Sequence, residues 1–316
     1  MKKCSFVLAN ILICAFAVTC IDVKPCLSQP NRRQVIERYL VSSYATAFGG
    51  LNFPSGHGKL DDIWVEADIN QHWHFQPGFF NDRCFLKINP RVRLRLFQEN
   101  STPVKTPSFM PNITLFFGFG KTTELTTGFT YYSIMLSHHS NGQAGEFYNP
   151  NTDSINIQTG SFSTNFFDFG INRIWGENQM LQAWTRLSLI WHPGFNRSDE
   201  LKDQYEKLKI ALTTSTIRGK RRTMGFNMEL NGYISYTLKG LDYTLIPGGG
   251  VNAATAIKAD WKDRVNWGLS MNFGRLDEGD FRYFIKYDHG YDYYNINFWR
   301  KLRRLQVGIT ADPFRI

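Results

Sequence analysis

Cysteine is nearly absent from the body of this chain. Cys4, Cys14, Cys20 and Cys26 crowd into the first 26 residues and Cys84 stands by itself thereafter, so no disulfide framework holds the fold. Long hydrophobic runs are equally scarce. The one that exists, at 6–21, follows Lys2 and Lys3, precedes small residues near Ser28, and is too short and interrupted for a spanning helix. It reads as a cleaved secretory signal over 1–28, with the mature domain at 29–316. Amphipathic helical period is missing except for a short stretch at 32–39, and no internal repeat, linker or low-complexity tract divides the chain. Acidic residues are in deficit: 36 Lys and Arg face 27 Asp and Glu, for a net charge of +9 and a pI near 9.3. No stacking module, zinc spacing or basic helix accompanies that charge, so anionic lipid headgroups are the expected partner and nucleic acid is not. Basic residues gather at 218–222 and again at 300–304, where turns or strand ends are expected.

What the chain does have is aromatic residues and period-2 alternation. Phe, Tyr and Trp make up 15% of it, with 26 Phe, 14 Tyr and 8 Trp, and such residues favour strands and membrane interfaces. Over 86–96 the apolar Leu86, Ile88, Val92, Leu94 and Leu96 alternate with Lys87, Asn89, Arg91, Arg93 and Arg95. Over 224–236 Met224, Phe226, Met228, Leu230, Ile234 and Tyr236 oppose Asn227, Glu229, Asn231 and Ser235. These segments exceed the five or six residues of an ordinary soluble strand and match the roughly nine to eleven that a tilted strand needs to cross a bilayer. Three arginines on one strand face would be costly in a dry core but suit a polar barrel lumen, and Glu66 and Asp68 are their expected partners. Further strands are expected at 64–75, 112–120, 128–139, 154–162, 165–175, 179–191, 204–216, 254–261, 265–273, 281–287 and 304–311. The fold class that follows is all-β, a transmembrane antiparallel β-barrel of about twelve strands, closed because an open sheet edge is not tolerated in lipid.

One segment carries chemistry. Side chains alternate along a strand, so Tyr132, Ile134, Leu136, His138 and Ser140 project one way while Ser133, Met135, Ser137 and His139 project the other. A proton acceptor and a hydroxyl therefore end an apolar stripe. If that stripe faces lipid, the pair sits on the outside of the barrel near the membrane rim, where an acyl ester can reach it.

The run Ser137, His138, His139, Ser140, Asn141 and Gly142 after a long strand resembles outer membrane phospholipase A, the detergent-resistant phospholipase A1 family. Ser154, Ile155 and Asn156, the closing stretch Gly290, Tyr291, Asp292, Tyr293, Tyr294 and Asn295, and then Val307, Gly308 and Ile309 add to the resemblance. The resemblance implies a twelve-stranded barrel in the outer membrane of a Gram-negative bacterium. It also implies that this barrel hydrolyses the acyl esters of membrane phospholipids as phospholipase A1/A2 and lysophospholipase, requires Ca2+ and acts as a homodimer. Carried over by position, Ser140 is the nucleophile and His138 the general base, consistent with the need of a serine hydroxyl for a neighbouring imidazole to take its proton. The third member, an asparagine that orients the imidazole, is assigned to Asn156, with Asn149 and Asn151 as alternatives. If Ile155 and Ile157 face lipid, Asn156 reaches His138 only where a bulge shifts the register. For calcium, the resemblance points to the backbone carbonyl of Gln143 and the hydroxyl of Thr152, joined by Asp199 and by Asn81 from a partner subunit, oxygen ligands of the kind a hard cation takes.

Two other functions fit parts of the pattern. A lipid A deacylase also carries a His-x-Ser-Asn strand motif, but on a smaller barrel. A non-catalytic porin or adhesin would show a wide, open lumen in place of the filled one that the arginine row implies.

Overall fold

The computed structural model describes residues 46–54, 63–70, 73–75, 84–97, 104–117, 130–152, 154–175, 181–202, 204–218, 226–245, 256–275 and 281–311. The leader, the 32–39 stretch and Asn81 lie outside them. Among the described residues no helix is long and apolar enough to cross a membrane, and strands make up the architecture.

The strands are β1 (Thr46–Pro54), β2 (Ile63–Ile69), β3 (Trp73–Phe75), β4 (Cys84–Phe97), β5 (Ser108–Phe117), β6 (Thr130–Ser140), β7 (Ser163–Trp175), β8 (Leu181–Trp191), β9 (Glu206–Arg218), β10 (Phe226–Gly240), β11 (Tyr243–Leu245), β12 (Ala256–Lys258), β13 (Val265–Arg275), β14 (Phe281–Tyr291) and β15 (Lys301–Ala311). Thirteen of them form one antiparallel sheet, and β11 with β12 forms a separate small hairpin. From β4 the pairing runs through β5, β6, β7, β8, β9, β10, β13, β14 and β15 to β1, then to β2, and β2 pairs back onto β4. The ladder thus returns to its start, with β2 and β3 as two parts of one stave on β4, so twelve staves encircle the lumen. Closure leaves no unpaired edge to face hydrocarbon.

Two expectations change in detail. Residues 154–162 are not a strand but part of a long β6–β7 connection, in which Tyr148 bridges Ile155 and Gly145 bridges Gly160. The place they were expected to fill in the count is taken by β1, which alternation did not flag. Of 254–261 only Ala256–Lys258 is strand, and it pairs with β11 off the barrel.

Burial is inverted relative to a soluble protein. On β6, Tyr132, Ile134 and Leu136 are 38–43% exposed on the outside, while Ser133 and Ser137 are 2% exposed inside. Phe169, Ile171, Leu187, Leu189, Leu212, Leu230, Ile234, Leu269 and Ile285 continue the outward apolar band. The lumen is filled by paired charges. Asp68 accepts from Arg91 at 2.8 and 2.5 Å and from Arg93 at 2.7 Å. Glu66 Oε2 accepts from Arg95 at 2.6 Å and from Arg304 at 2.8 Å, reaching from β2 across to β15. Arg95 also forks onto Asp292 at 2.5 and 2.9 Å, and Arg304 reaches Asp288 at 3.1 Å. Every one of these carboxylates takes charge-assisted hydrogen bonds, the condition under which buried ions are tolerated.

At one end the β6–β7, β8–β9 and β14–β15 connections pack a small apolar cap of Phe147, Ile155, Phe162, Leu201, Tyr205, Ile296 and Phe298. This is the end at which β6 delivers Ser140.

Removing Glu66 leaves Arg95 and Arg304 each with one carboxylate in place of two. Glu66→Ala is expected to destabilise the barrel by about 3 kcal/mol, near the low end of the cost of breaking a buried pair. Urea unfolding in detergent checks this; an unchanged midpoint would refute it.

Candidate active site on the lipid-facing wall

Register decides what stands beside His138. In the β6–β7 ladder His138 lies opposite Asn165 and Ser140 opposite Ser163. Directly opposite side chains share a face and stand about 5 Å apart at Cβ, close enough for a hydrogen bond. His138 Nδ1 lies 2.8 Å from Asn165 Oδ1, with both side chains buried.

The orientation of the Asn165 amide is itself held. Its Nδ2 donates to the Phe195 carbonyl at 3.1 Å, which turns Oδ1 toward the imidazole. Oδ1 can only accept, so Nδ1 carries the proton and Nε2 is left as the basic nitrogen. The β8–β9 connection that supplies this carbonyl is fastened to the start of β7. Ser163 donates its backbone N–H to Ser198 Oγ at 3.1 Å, Ser198 returns its N–H to the Ser163 carbonyl at 2.9 Å, and Ser163 Oγ donates to the Asn196 carbonyl at 3.2 Å. Asn196 adopts a positive φ of 50° where this connection turns.

The two residues after Ser140 serve the turn. Asn141 is buried and clamps both ends of the long β6–β7 connection: its Nδ2 donates to the Gly160 carbonyl at 2.7 Å, and its Oδ1 accepts from the Phe162 N–H at 2.9 Å. Gly142 has a φ of +68°, and a Cβ there would press on the Phe109 ring at 3.3 Å, so glycine suits both the backbone and the space. Phe109 is the β5 partner of Ser140 and is 38% exposed. With Phe167, Trp191 and Phe195 it forms an aromatic surround on the outer wall.

Asn156, the expected third member, lies elsewhere. Its Nδ2 donates to the Glu146 carbonyl at 3.1 Å and to Thr159 Oγ1 at 2.9 Å, and its Oδ1 accepts from the Thr159 N–H at 3.1 Å, so it shapes a turn in the connection. Asn149 donates to Ser154 Oγ at 2.9 Å, and Asn151 sits in an exposed turn. Asn165 holds the position beside His138. Asn165 opens an expected strand, so the cross-strand signal is present in the sequence, but the strand-like alternation of 154–162 masks the direct pairing of β6 with β7.

The oxygen donors assigned to calcium stand in different local settings. Thr152 Oγ1 lies 2.7 Å from Ser154 Oγ inside a tight turn, and the Gln143 N–H donates to Asn141 Oδ1 at 3.3 Å. Asp199 opens a short 3-10 turn (Asp199–Leu201) in the other connection with its side chain exposed, and Asn81 lies outside the described residues. Among the described residues no group of three His, Cys, Asp or Glu side chains converges as a metal site. Thr152 and Asp199, the two described side-chain donors of that set, thus lie in separate connections.

Two other histidines lie near this end on the inner side. His139 Nε2 is 3.3 Å from Ser108 Oγ and its ring packs on Phe162. His192 is buried against Phe166 and Tyr205, 3.5 Å from Glu206, and burial pushes its pKa below the ordinary imidazole range. Neither shares the outer face of Ser140.

No protein-family profile and no curated protein matches the sequence. Among solved structures, the chain is similar to the outer membrane phospholipase A of Escherichia coli, with 11% identity, a TM-score of 0.53, and coverage of 86% of this chain and 96% of that one. It is also similar to the calcium-bound dimer of the outer membrane phospholipase of Salmonella typhi, with 11% identity, a TM-score of 0.52, and coverage of 85% and 91%. A form of the Escherichia coli enzyme with an active-site asparagine replaced by alanine aligns at 12% identity and a TM-score of 0.52, over 85% and 90%.

A fluorophosphonate that reacts with activated serines gives a direct readout of this arrangement. Labelling of Ser140 is expected to slow about tenfold in Asn165→Ala, a part of the roughly 10²–10⁴-fold that the positioned general base contributes, and to be unchanged in Asn156→Ala. Asn165→Asp is expected to label more slowly than wild type as well, because a carboxylate oxygen would face the Phe195 carbonyl. Mass spectrometry of the labelled peptide measures all three. Together these comparisons leave the chain with the β-barrel fold of the outer membrane phospholipases.

Proposed function

We propose that this protein is an outer-membrane serine esterase that hydrolyses the acyl esters of glycerophospholipids, with Ser140, His138 and Asn165 as its catalytic residues. The observation that carries this reading is the 2.8 Å contact of His138 Nδ1 with Asn165 Oδ1 on the lipid-facing wall, two residues from Ser140 on the same strand face. An ester in the surrounding leaflet meets this wall without leaving the membrane, and the exposed Phe109, Trp191 and Phe195 offer surface for its acyl chains.

The chemistry follows from the roles. Ser140 Oγ attacks the ester carbonyl carbon while its proton passes to His138 Nε2. The imidazolium keeps its ring in place by donating Nδ1–H to Asn165, then gives the Nε2 proton to the departing glycerol oxygen. Water, deprotonated by the same imidazole, attacks the acyl-Ser140 carbonyl and releases the fatty acid and the free serine. An amide orients the ring as a carboxylate would but does not balance the imidazolium charge, so its contribution is positional.

A calcium requirement and a homodimeric active form enter this reading from the family resemblance of the sequence and from the calcium-bound dimer of the Salmonella typhi enzyme. The lumen argues against an open channel: Arg91, Arg93, Arg95 and Arg304 project into it and are paired with Asp68, Glu66, Asp292 and Asp288. Twelve staves exceed the smaller barrel of a lipid A deacylase.

The test is fatty-acid release from mixed phospholipid and detergent micelles. Wild type is expected to release fatty acid, Ser140→Ala and His138→Ala to lose nearly all release, and a chelator to abolish it if calcium is required. A folded wild type that releases nothing from phospholipid would overturn the proposal. Release that survives chelation would remove calcium from it.

A further inference from the structure

Five staves from β6 by way of β5, β4, β2 and β1, on the far wall, the basic stretch at 300–304 is divided by the strand pleat. Arg304 turns inward to Glu66 and Asp288, whereas Lys301 and Arg303 turn outward and are exposed. Below them on the outer face of β15 come Leu305, Val307 and Ile309. The neighbouring staves follow the same order. Outward from β13 and β14, Leu269, Tyr283 and Ile285 are exposed at membrane level. Trp267 then packs on Tyr287 at 5.3 Å and on His289 at 5.8 Å, and His289 pairs across to Arg303. That is the order of an interface: apolar band, aromatic girdle, then cations.

The loop above adds charge on a rigid support. A 3-10 turn (Trp261–Arg264) is closed by a capping box in which Asp260 accepts from the Trp261 N–H at 2.7 Å and Asp263 from the Asp260 N–H at 2.9 Å. Asp263 also pairs with Lys301, tying the turn to β15. The turn presents Trp261, 61% exposed, with Lys262 Nζ 5.7 Å from its ring centroid. Lys239 stands exposed at the end of β10 and Lys258 on β12. Lys239, Lys258, Lys262 and Arg303 make no ion pair among the described residues.

The catalytic wall differs in charge. The β6–β7 connection over 141–162 contains no Lys or Arg but has Glu146 and Asp153, and in the β8–β9 connection over 192–205 Arg197 and Lys202 stand against Asp199, Glu200 and Asp203. Acids thus outnumber bases in the connections beside Ser140, whereas Lys239, Lys258, Lys262, Lys301 and Arg303 are exposed on the β10–β15 side.

We infer that the outer wall formed by β10, β13, β14 and β15 holds a phosphate-bearing lipid of the leaflet at the loop end, its phosphates on Arg303, Lys239 and Lys262 and its acyl chains along Leu269, Ile285 and Val307. Guanidinium and ammonium groups recognise phosphate by charge-assisted hydrogen bonds, and the fixed turn limits the ordering needed to form them. A lipid with more than one phosphate matches this spread of cations better than a zwitterionic one. The inference does not depend on Ser140 being catalytic, only on the barrel spanning a membrane.

The experiment is native mass spectrometry of the purified barrel in maltoside micelles doped with diphosphoryl lipid A, with phosphatidylcholine, or supplied with inorganic phosphate. Wild type is expected to retain the diphosphorylated lipid and not phosphatidylcholine. Each cation removed should weaken retention about fivefold, so the triple variant Lys239→Gln, Lys262→Gln, Arg303→Gln should lose about two orders of magnitude. Arg303→Lys should bind nearly as wild type, and Arg303→Gln serves as the readout should the triple variant not fold. Fatty-acid release by the variants from zwitterionic micelles should stay at the wild-type level, which separates this site from the catalytic one. Equal retention by wild type and variant, equal retention of phosphatidylcholine, or displacement of the lipid by millimolar inorganic phosphate would each overturn the inference.

Discussion

Every backbone N–H and C=O of a strand in hydrocarbon must find a partner within the protein, and the rest of this structure depends on how that requirement is met. The sheet answers it by closing, with β1 laid between β15 and β2 and β2 paired onward to β4. Closure then creates two opposite solvents for alternate residues of the same strand. Outward positions meet acyl chains and are aromatic or aliphatic; inward positions meet only one another and are polar. The arginines of β4 are affordable because Asp68, Glu66 and Asp292 reach them, and Glu66 joins Arg95 to Arg304 across the closing seam.

The candidate site exploits a side effect of that arrangement. A polar pair on the outward face of a strand would be unfavourable in mid-membrane, but His138 and Ser140 lie at the strand end, where connections can cover them. The β8–β9 connection does so with a backbone carbonyl that fixes the Asn165 amide, and Asn141 ties the β6–β7 connection down beside it. The His138 and Asn165 contact thus rests on β-ladder register and on two hydrogen-bonded connections, so its geometry is set by rigid elements.

The same barrel presents different chemistry at headgroup height on its two sides. Aromatic rings stand on the outer wall beside Ser140, in whose connections acids outnumber bases, while lysines and an arginine stand above the girdle of β13, β14 and β15. Asymmetry of this kind in juxtamembrane charge attracts anionic headgroups to the more basic side.

Alternation in 86–96 and 224–236 was enough to identify long membrane-crossing strands. Parity alone put His138 and Ser140 outside with Tyr132, Ile134 and Leu136, and charge complementarity named Glu66 and Asp68 as partners of the arginine row. These features are local: they depend on a two-residue period or on strands adjacent in sequence. What followed from long-range pairing was not legible. β1 lacks the alternation that marks a strand and owes its place to β15, more than 200 residues away in sequence. Residues 154–162 have strand-like alternation yet fold into a connection, because Asn141 and Gly145 bind Phe162, Thr159 and Ser161 and leave β7 to begin at Ser163. That choice of register placed Asn165, and not Asn156, opposite His138. The sequence by itself determined which residues face lipid and which face the lumen, because side-chain direction along a strand is fixed by its pleat. Only the tertiary structure decided which asparagine meets the imidazole and which carboxylates close the barrel, because those contacts depend on the relative shift of strands, a quantity that hydrogen bonding in the connections sets and composition does not encode.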